Sequence, residues 1–223
     1  MRVLAIDTAL GACSVAVLDT SLATIIASES TMMSRGHAEA IMPLIARVMD
    51  EAEIEFKELD RIAVTTGPGS FTGLRLGLAA ARGLAFALDL QVAGVSTLDA
   101  LAAGAPGAVP VIDAGRREVF TLRDGEPVVC SPHEVEPRLC VGDGALRYRA
   151  VLEERGAEVP PDGDERHLPR ARFHAQLAGP FVPAGEVEPL YLRLPDAEPV
   201  SVGSTKLTRE RRRRLCWRRE REN

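Results

Sequence analysis

The stretch that most restricts the fold of this chain is RIAVTTGPGSFTGLRLGLAAARGLAFAL, residues 61–88. An apolar, β-prone run ends at Gly67-Pro68-Gly69, two glycines flanking a proline, which is turn chemistry. Ser70 then stands where a helix N-cap belongs, so the segment predicts a strand, a tight turn and a helix whose first N–H groups point above a sheet. Within that helix Gly73 and Gly77 lie four apart, with Ala80, Ala81 and Leu84 next along the same side. A helical glycine costs about 1 kcal/mol relative to alanine, so two on one face call for a compensating contact. Close approach by another helix is the expected one.

Glycines before a helix can also cradle a phosphate, but the known spacings fail here. A Walker A loop needs GxxxxGK[ST], and the chain has no Gly-Lys pair. Gly67, Gly69 and Gly73 give GxGxxxG rather than the dinucleotide GxGxxG. Pro68 occupies the first glycine of a GxSxG nucleophile elbow, so Ser70 reads as a cap.

At 223 residues the chain fits one large domain or two small ones. No apolar run is of membrane-spanning length, and Asp7 interrupts the N-terminal hydrophobic run, so a soluble cytosolic protein is expected. Cys13, Cys130, Cys140 and Cys216 form no CxxC and are read as reduced structural thiols. Residues 205–223 hold nine Lys/Arg and three Glu, leaving −11 on the body against +6 on the tail. An acidic body poor in aromatic residues is a poor nucleic-acid binder. The arginine tail, with Trp217, offers phosphate contacts but reads more simply as a disordered extension, 201–223.

RVLAID, CSVAVL and TIIASES form three short strands in an antiparallel meander. HAEAIMPLIARVMDEA follows as a helix with a wide apolar stripe, Pro43 lying in its first turns or kinking it. The strand and helix of residues 61–88 come next, then a strand from Gln91 and a short helix capped by Ser96. This order gives a mixed sheet with helices packed on it, an α/β first lobe over 1–104. Residues 105–200 read as a smaller, degraded second lobe: a strand ending at Asp113, a hairpin turning at Asp124-Gly125, a strand before Gly142-Asp143-Gly144 and a helix closed by Gly156.

Asp7 and Thr8 end the first strand and Asp113 ends the corresponding strand of the second half, which makes the three a candidate nucleotide or Mg²⁺ site across a cleft. Taken singly, each reads as a turn or cap residue. The four histidines show neither HxxxH nor HExxH, so no metal site is indicated. His37 opens a helix, and Asp99 and Glu39 lack recognisable partners for base catalysis. No catalytic constellation emerges.

Together LAIDTALGACSVAVL, SRGHAEAIMPLI, TTGPGSFTGLRLGLAAARGLA, GVSTLDALA, VIDAGRREVF and PLYLR resemble the TsaB (YeaZ) family over most of residues 1–194. The resemblance implies the α/β fold of the actin-like ATPase superfamily (sugar kinases, heat-shock chaperones and actin), with two βββαβα-type lobes of which the second is reduced. It also implies the small dimerisation subunit of the bacterial machinery for threonylcarbamoyladenosine in tRNA. Such a subunit pairs with a TsaD-like catalytic partner and a TsaE-like ATPase, and meets tRNA indirectly through the complex. ATP and metal are then expected in the partner subunits, with no cofactor of its own.

TsaD-like relatives carry a metal-binding HxxxH after a GVN segment. The corresponding GVSTLDAL places Thr97 and Leu101 where the two histidines would stand, and leucine has no donor atom. The resemblance therefore implies a non-catalytic scaffold that binds and activates its partner through the first-lobe helices. The interface assigned to it comprises His37, Ile41, Ile45, Gly69, Ser70, Phe71, Gly73, Arg75, Gly77 and Ala80, and a homodimer is expected when the chain is alone. An autonomous Mg-ATP-dependent ATPase or small-molecule kinase is the alternative, with Gly142-Asp143-Gly144 on the adenosine side.

Overall fold

A computed structural model describes residues 1–192. The three N-terminal strands, β1 (Arg2–Asp7), β2 (Ala12–Asp19) and β3 (Thr24–Met32), pair antiparallel as the meander expected. Helix α1 (His37–Glu51) leads through a short connection to β4 (Arg61–Gly67), helix α2 (Phe71–Leu88), β5 (Gln91–Ser96) and helix α3 (Thr97–Gly104). Strands β4 and β5 add parallel to β1, giving the order β3-β2-β1-β4-β5. This is the mixed sheet expected of the first lobe.

Strand alternation divides the sheet into two buried faces. Leu4, Ile6, Val15, Val17, Ile62 and Val64 point to one, where they pack with Leu44, Ile45 and Val48 of α1 and Leu78, Ala81 and Ala85 of α2. Val3, Ala5, Ala16, Leu18 and Ala63 point to the other. Ser70 caps α2 by accepting the Gly73 N–H at 3.3 Å, and Ser96 accepts the Asp99 N–H at 3.3 Å at the start of α3. Pro43 lies beyond the first turn of α1, and the helix runs on through it. Helix α2 is long and apolar enough to cross a bilayer by composition. Here one side of it lies on the sheet while Arg75 and Arg82 mark the other.

The second sheet has the order β8-β7-β6-β9, from β6 (Val109–Gly115), β7 (Glu118–Arg123), β8 (Glu126–Cys130) and β9 (Cys140–Val141). Asp124 and Gly125, both at positive φ, make the predicted β7–β8 hairpin turn. The single helix expected over 145–155 is instead two, α4 (Asp143–Arg147) and α5 (Arg149–Glu154), parted at Tyr148, whose φ of −108° and ψ of 21° leave the helical region. Ile112 and Phe120 reach back to Ala9, Leu10, Leu74, Leu98 and Leu101, so one apolar cluster joins the two sheets.

The division at residue 104 falls between the sheets, but both belong to one compact unit, Met1–Leu192. The assignment of all of 105–200 to a second lobe is corrected: helix α6 (Ala171–Leu177) returns to the first sheet, where Ala171 and Ala175 cover its second face. That face is lined by small residues and would otherwise be open to water, which is the physical reason for the return. Val182 then bridges Val92, and the Leu190 N–H donates to the Thr66 carbonyl at 2.7 Å. The readings for residues 193–223, including the arginine tail, Cys216 and Trp217, lie outside the described residues.

Candidate functional site

The ends of β1, β4 and β6 meet at a cleft between the sheets, a cavity of about 490 Å³. Its walls come from the β1–β2 turn (Ala9, Leu10, Gly11), the start of α1 (His37), the turn before α2 (Gly69, Ser70) and the second sheet (Asp113, Gly115, Asp143). Such a crevice at strand ends is the usual place for a ligand in an open α/β fold.

The proposed triad of Asp7, Thr8 and Asp113 does not assemble there, because two of its members are turned into the protein. Asp7 is buried and takes the Ala9 N–H at 3.0 Å. Burial, only partly offset by that bond and by one from Thr65, pushes its carboxyl up to about 7. Thr8 is buried too, and its hydroxyl donates to the Gly73 carbonyl at 2.7 Å, tying β1 to α2. Asp113 does face the cleft, where it is paired with Arg147 and accepts from the Tyr148 hydroxyl at 3.3 Å and the Gly115 N–H at 3.0 Å. Its neighbour Asp143 takes the Asp113 N–H at 3.1 Å, and burial followed by the nearby Asp113 charge raises its carboxyl to about 6.

The Gly142-Asp143-Gly144 turn is not the open cradle a nucleotide needs. A Cβ at Gly142 would run into the Val111 carbonyl, and one at Gly144 would come within 2.6 Å of the Ile112 backbone. These glycines let the turn pack on β6. His167 buttresses it from behind, Nδ1 accepting the Gly142 N–H at 3.0 Å. Among the described residues no three His, Cys, Asp or Glu side chains gather as a metal site. Thr97 and Leu101 are core residues: the Thr97 hydroxyl lies 3.0 Å from the Thr65 hydroxyl, and Leu101 joins the cluster between the sheets.

The interface residues also separate into three groups. Ile41 and Ile45 are buried in the main core, the wide stripe of α1 being taken up by its own sheet. Gly73 and Gly77 are buried against the end of β1, where a Cβ at Gly77 would meet the Thr8 hydroxyl at 2.6 Å and one at Gly73 would overlap the Thr8 carbonyl. The contact that asks for the glycines is therefore intramolecular, and its partner is a strand end, not a second helix. Ala80 is half-buried against the same core. Gly69 packs on the Ala9 carbonyl, and with Ser70 and His37 it lines the cleft.

Phe71 and Arg75 do face solvent, with the Arg75 guanidinium 3.7 Å from the centre of the Phe71 ring and its Nε donating to the Tyr191 hydroxyl at 3.3 Å. The outer sides of α1 and α2 carry residues that sequence reasoning missed: Met42 is 46 % and Phe86 91 % exposed, and Ala46, Ala79 and Gly83 are exposed on the same helices. Their outward helical spacing was the available signal.

Comparison with known proteins bears on what this scaffold serves. The family model described as TsaD, tRNA N6-adenosine threonylcarbamoyltransferase, matches residues 21–134. The tRNA threonylcarbamoyladenosine biosynthesis protein TsaB of Escherichia coli is 38 % identical, the match covering 86 % of this chain and 95 % of that protein. The chain belongs to the TsaB (YeaZ) family. An uncharacterised protein of Mycobacterium tuberculosis is 34 % identical over 90 % of this chain and 95 % of its own length. The solved structure of YeaZ from Pseudomonas aeruginosa superposes with a TM-score of 0.72 at 30 % identity, covering 86 % of this chain and 99 % of that one. The TsaB fold is thus present across both sheets.

Proposed function

We propose that this chain takes part in threonylcarbamoyladenosine biosynthesis on tRNA as a subunit without an active site, binding and activating a TsaD-like catalytic partner. The reading draws its pathway from the TsaB relatives. The observation that carries the scaffold role is the outward side of α1 and α2, where Met42 on the one and Phe86 on the other stand exposed. A phenylalanine left almost wholly in water is the kind of anchor a partner buries. The same surface would pair with a second copy when the partner is absent, and ATP and metal would enter with the TsaD-like subunit and a TsaE-like ATPase.

Phe86→Asp tests this directly. The side chain supports little of the fold, so the variant should keep the wild-type melting temperature yet bind the TsaD-like partner about 30-fold more weakly, as loss of an interface anchor does. Undiminished co-elution with that partner would discard the assignment of this surface. For the kinase alternative, Asp113 and Asp143 in the cleft speak in favour, whereas the packed glycine turn and the buried Asp7 speak against. Calorimetry with Mg-ATP on the isolated protein should show no turnover. Hydrolysis abolished by Asp113→Ala would establish the enzyme instead.

A further inference from the structure

On the far side of the first sheet from α1 and α2, where α6 begins, β2 and β3 face a recess of about 140 Å³ lined by Ser14, Ser28, Ser30, Arg170 and Arg172. Its lining contains three hydroxyls, two guanidinium groups and no carboxylate. The Nε of Arg170 and the Nε of Arg172 are both shielded from solvent and have no hydrogen-bond partner among the described residues. Arg170 pairs with Glu165 through a terminal nitrogen, and Arg172 lies over the Phe173 ring at 4.7 Å. Neither contact uses the Nε donors.

Buried N–H groups are almost always satisfied, because leaving one without an acceptor forfeits its hydration with nothing in return. The arginines that carry these donors line one recess with three serines, and the guanidinium groups there point to an acceptor that comes from outside the chain. The hydroxyls are arranged to help. Ser14 accepts the Ala171 N–H at 2.9 Å and lies 2.6 Å from the Ser30 hydroxyl, which fixes both side chains, while Ser28 is exposed at the rim. A chain of net charge −5 does not collect such a site through general basicity.

We propose that this recess binds a phosphate-type oxyanion, either free or as the terminal group of a monoester. The planar guanidinium fork matches the oxygens of phosphate, and charge-assisted bonds from arginine are the strong ones. The volume bounds the guest: it exceeds the roughly 10–15 Å³ that holds one water and is well below the roughly 300 Å³ of a drug-sized pocket. A tetrahedral anion fits, and any larger group attached to it would lie outside the recess.

The test is calorimetric titration of the full chain, in phosphate-free buffer at constant ionic strength, with inorganic phosphate and in parallel with a nucleoside 5′-monophosphate. Saturable one-to-one binding of phosphate is expected, weakened about tenfold or more in Arg172→Gln, as loss of a charged hydrogen-bond donor implies. Equal or tighter binding of the monoester identifies the guest as a terminal phosphate, and binding of phosphate alone identifies a free anion. Ser28→Asp, at an exposed position of an edge strand, places a carboxylate where the guest would sit. It should abolish phosphate binding and raise the melting temperature, because the new side chain satisfies the arginines itself. Absence of saturable binding to the wild-type chain, or wild-type affinity retained in Ser28→Asp, overturns the proposal whether or not Arg172→Gln folds.

Discussion

Gly73→Ala is expected to lose at least about 3 kcal/mol of folding stability, the upper part of the range for overpacking a close contact. Its Cβ would overlap the Thr8 carbonyl, which is backbone and cannot rotate aside. Thr8 is held from the other direction as well, since its hydroxyl donates to the carbonyl of Gly73 itself. The substitution thus drives apart two elements that a buried bond holds together. Helix propensity works the other way, favouring alanine by about 1 kcal/mol, too little to reverse the outcome. Gly83 provides the control. It is on the exposed side of α2, where an added methyl group would meet nothing within 4 Å, so Gly83→Ala should gain up to about 1 kcal/mol. Urea denaturation of both variants checks the pair, and equal stability of Gly73→Ala and wild type would refute the close packing of α2 on β1.

The second large effect concerns pH. The Asp7 carboxyl, pushed up to about 7 by burial from an ordinary 3.8, keeps its proton in the folded chain where the unfolded chain has lost it. Its contribution to stability is fully present below about pH 4 and is lost as pH rises through about 7. The shift corresponds to about 4 kcal/mol. His174 has the opposite slope. It is buried, its Nδ1 lies 3.3 Å from the Arg170 carbonyl, and burial lowers it to about 4, so the unfolded chain takes up the proton first as pH falls below 6.5. That costs about 3 kcal/mol by about pH 4.

Between about pH 4 and 6.5 the two slopes oppose each other, and the wild-type chain should show only a shallow net dependence from them. Asp7→Asn keeps the shape and an acceptor for the Ala9 N–H but cannot ionise. Relative to wild type it should be more stable at about pH 8 than at about pH 4 by about 4 kcal/mol, the slopes of His174 and Asp143 remaining in both proteins. Chemical denaturation of both proteins across that range measures it. Parallel stability curves would show that Asp7 ionises at its ordinary value.

Much of the architecture is legible in local signals. The N-caps Ser70 and Ser96, the Asp124-Gly125 turn and the alternating strands each act within a few residues, and the chain follows them. The site is less legible because periodicity identifies a face without identifying its neighbour. Gly73 and Gly77 announce a close approach, but the approaching group is Thr8, far earlier in the chain. Ile41 and Ile45 mark an apolar stripe that is wide because the sheet beneath it is broad, not because a second protein is needed to cover it. Asp7 reads as a strand-end carboxylate of a ligand site, whereas in the fold it is buried and takes the Ala9 N–H. The return of α6 has no local signature at all: a seven-residue helix between proline-containing segments cannot announce which sheet it will cover.

That return also fixes an order of events at the ribosome. The Ala171 N–H meets the Ser14 hydroxyl across 157 residues, and the second face of the N-terminal sheet is closed by Ala171 and Ala175. At about 5–20 residues per second, translation takes on the order of ten seconds to deliver the covering helix after the strands have emerged. During that interval Val3, Ala5, Ala16, Leu18 and Ala63 have been made without the helix that covers them in the folded chain, and apolar surface left open in this way is what chaperones guard.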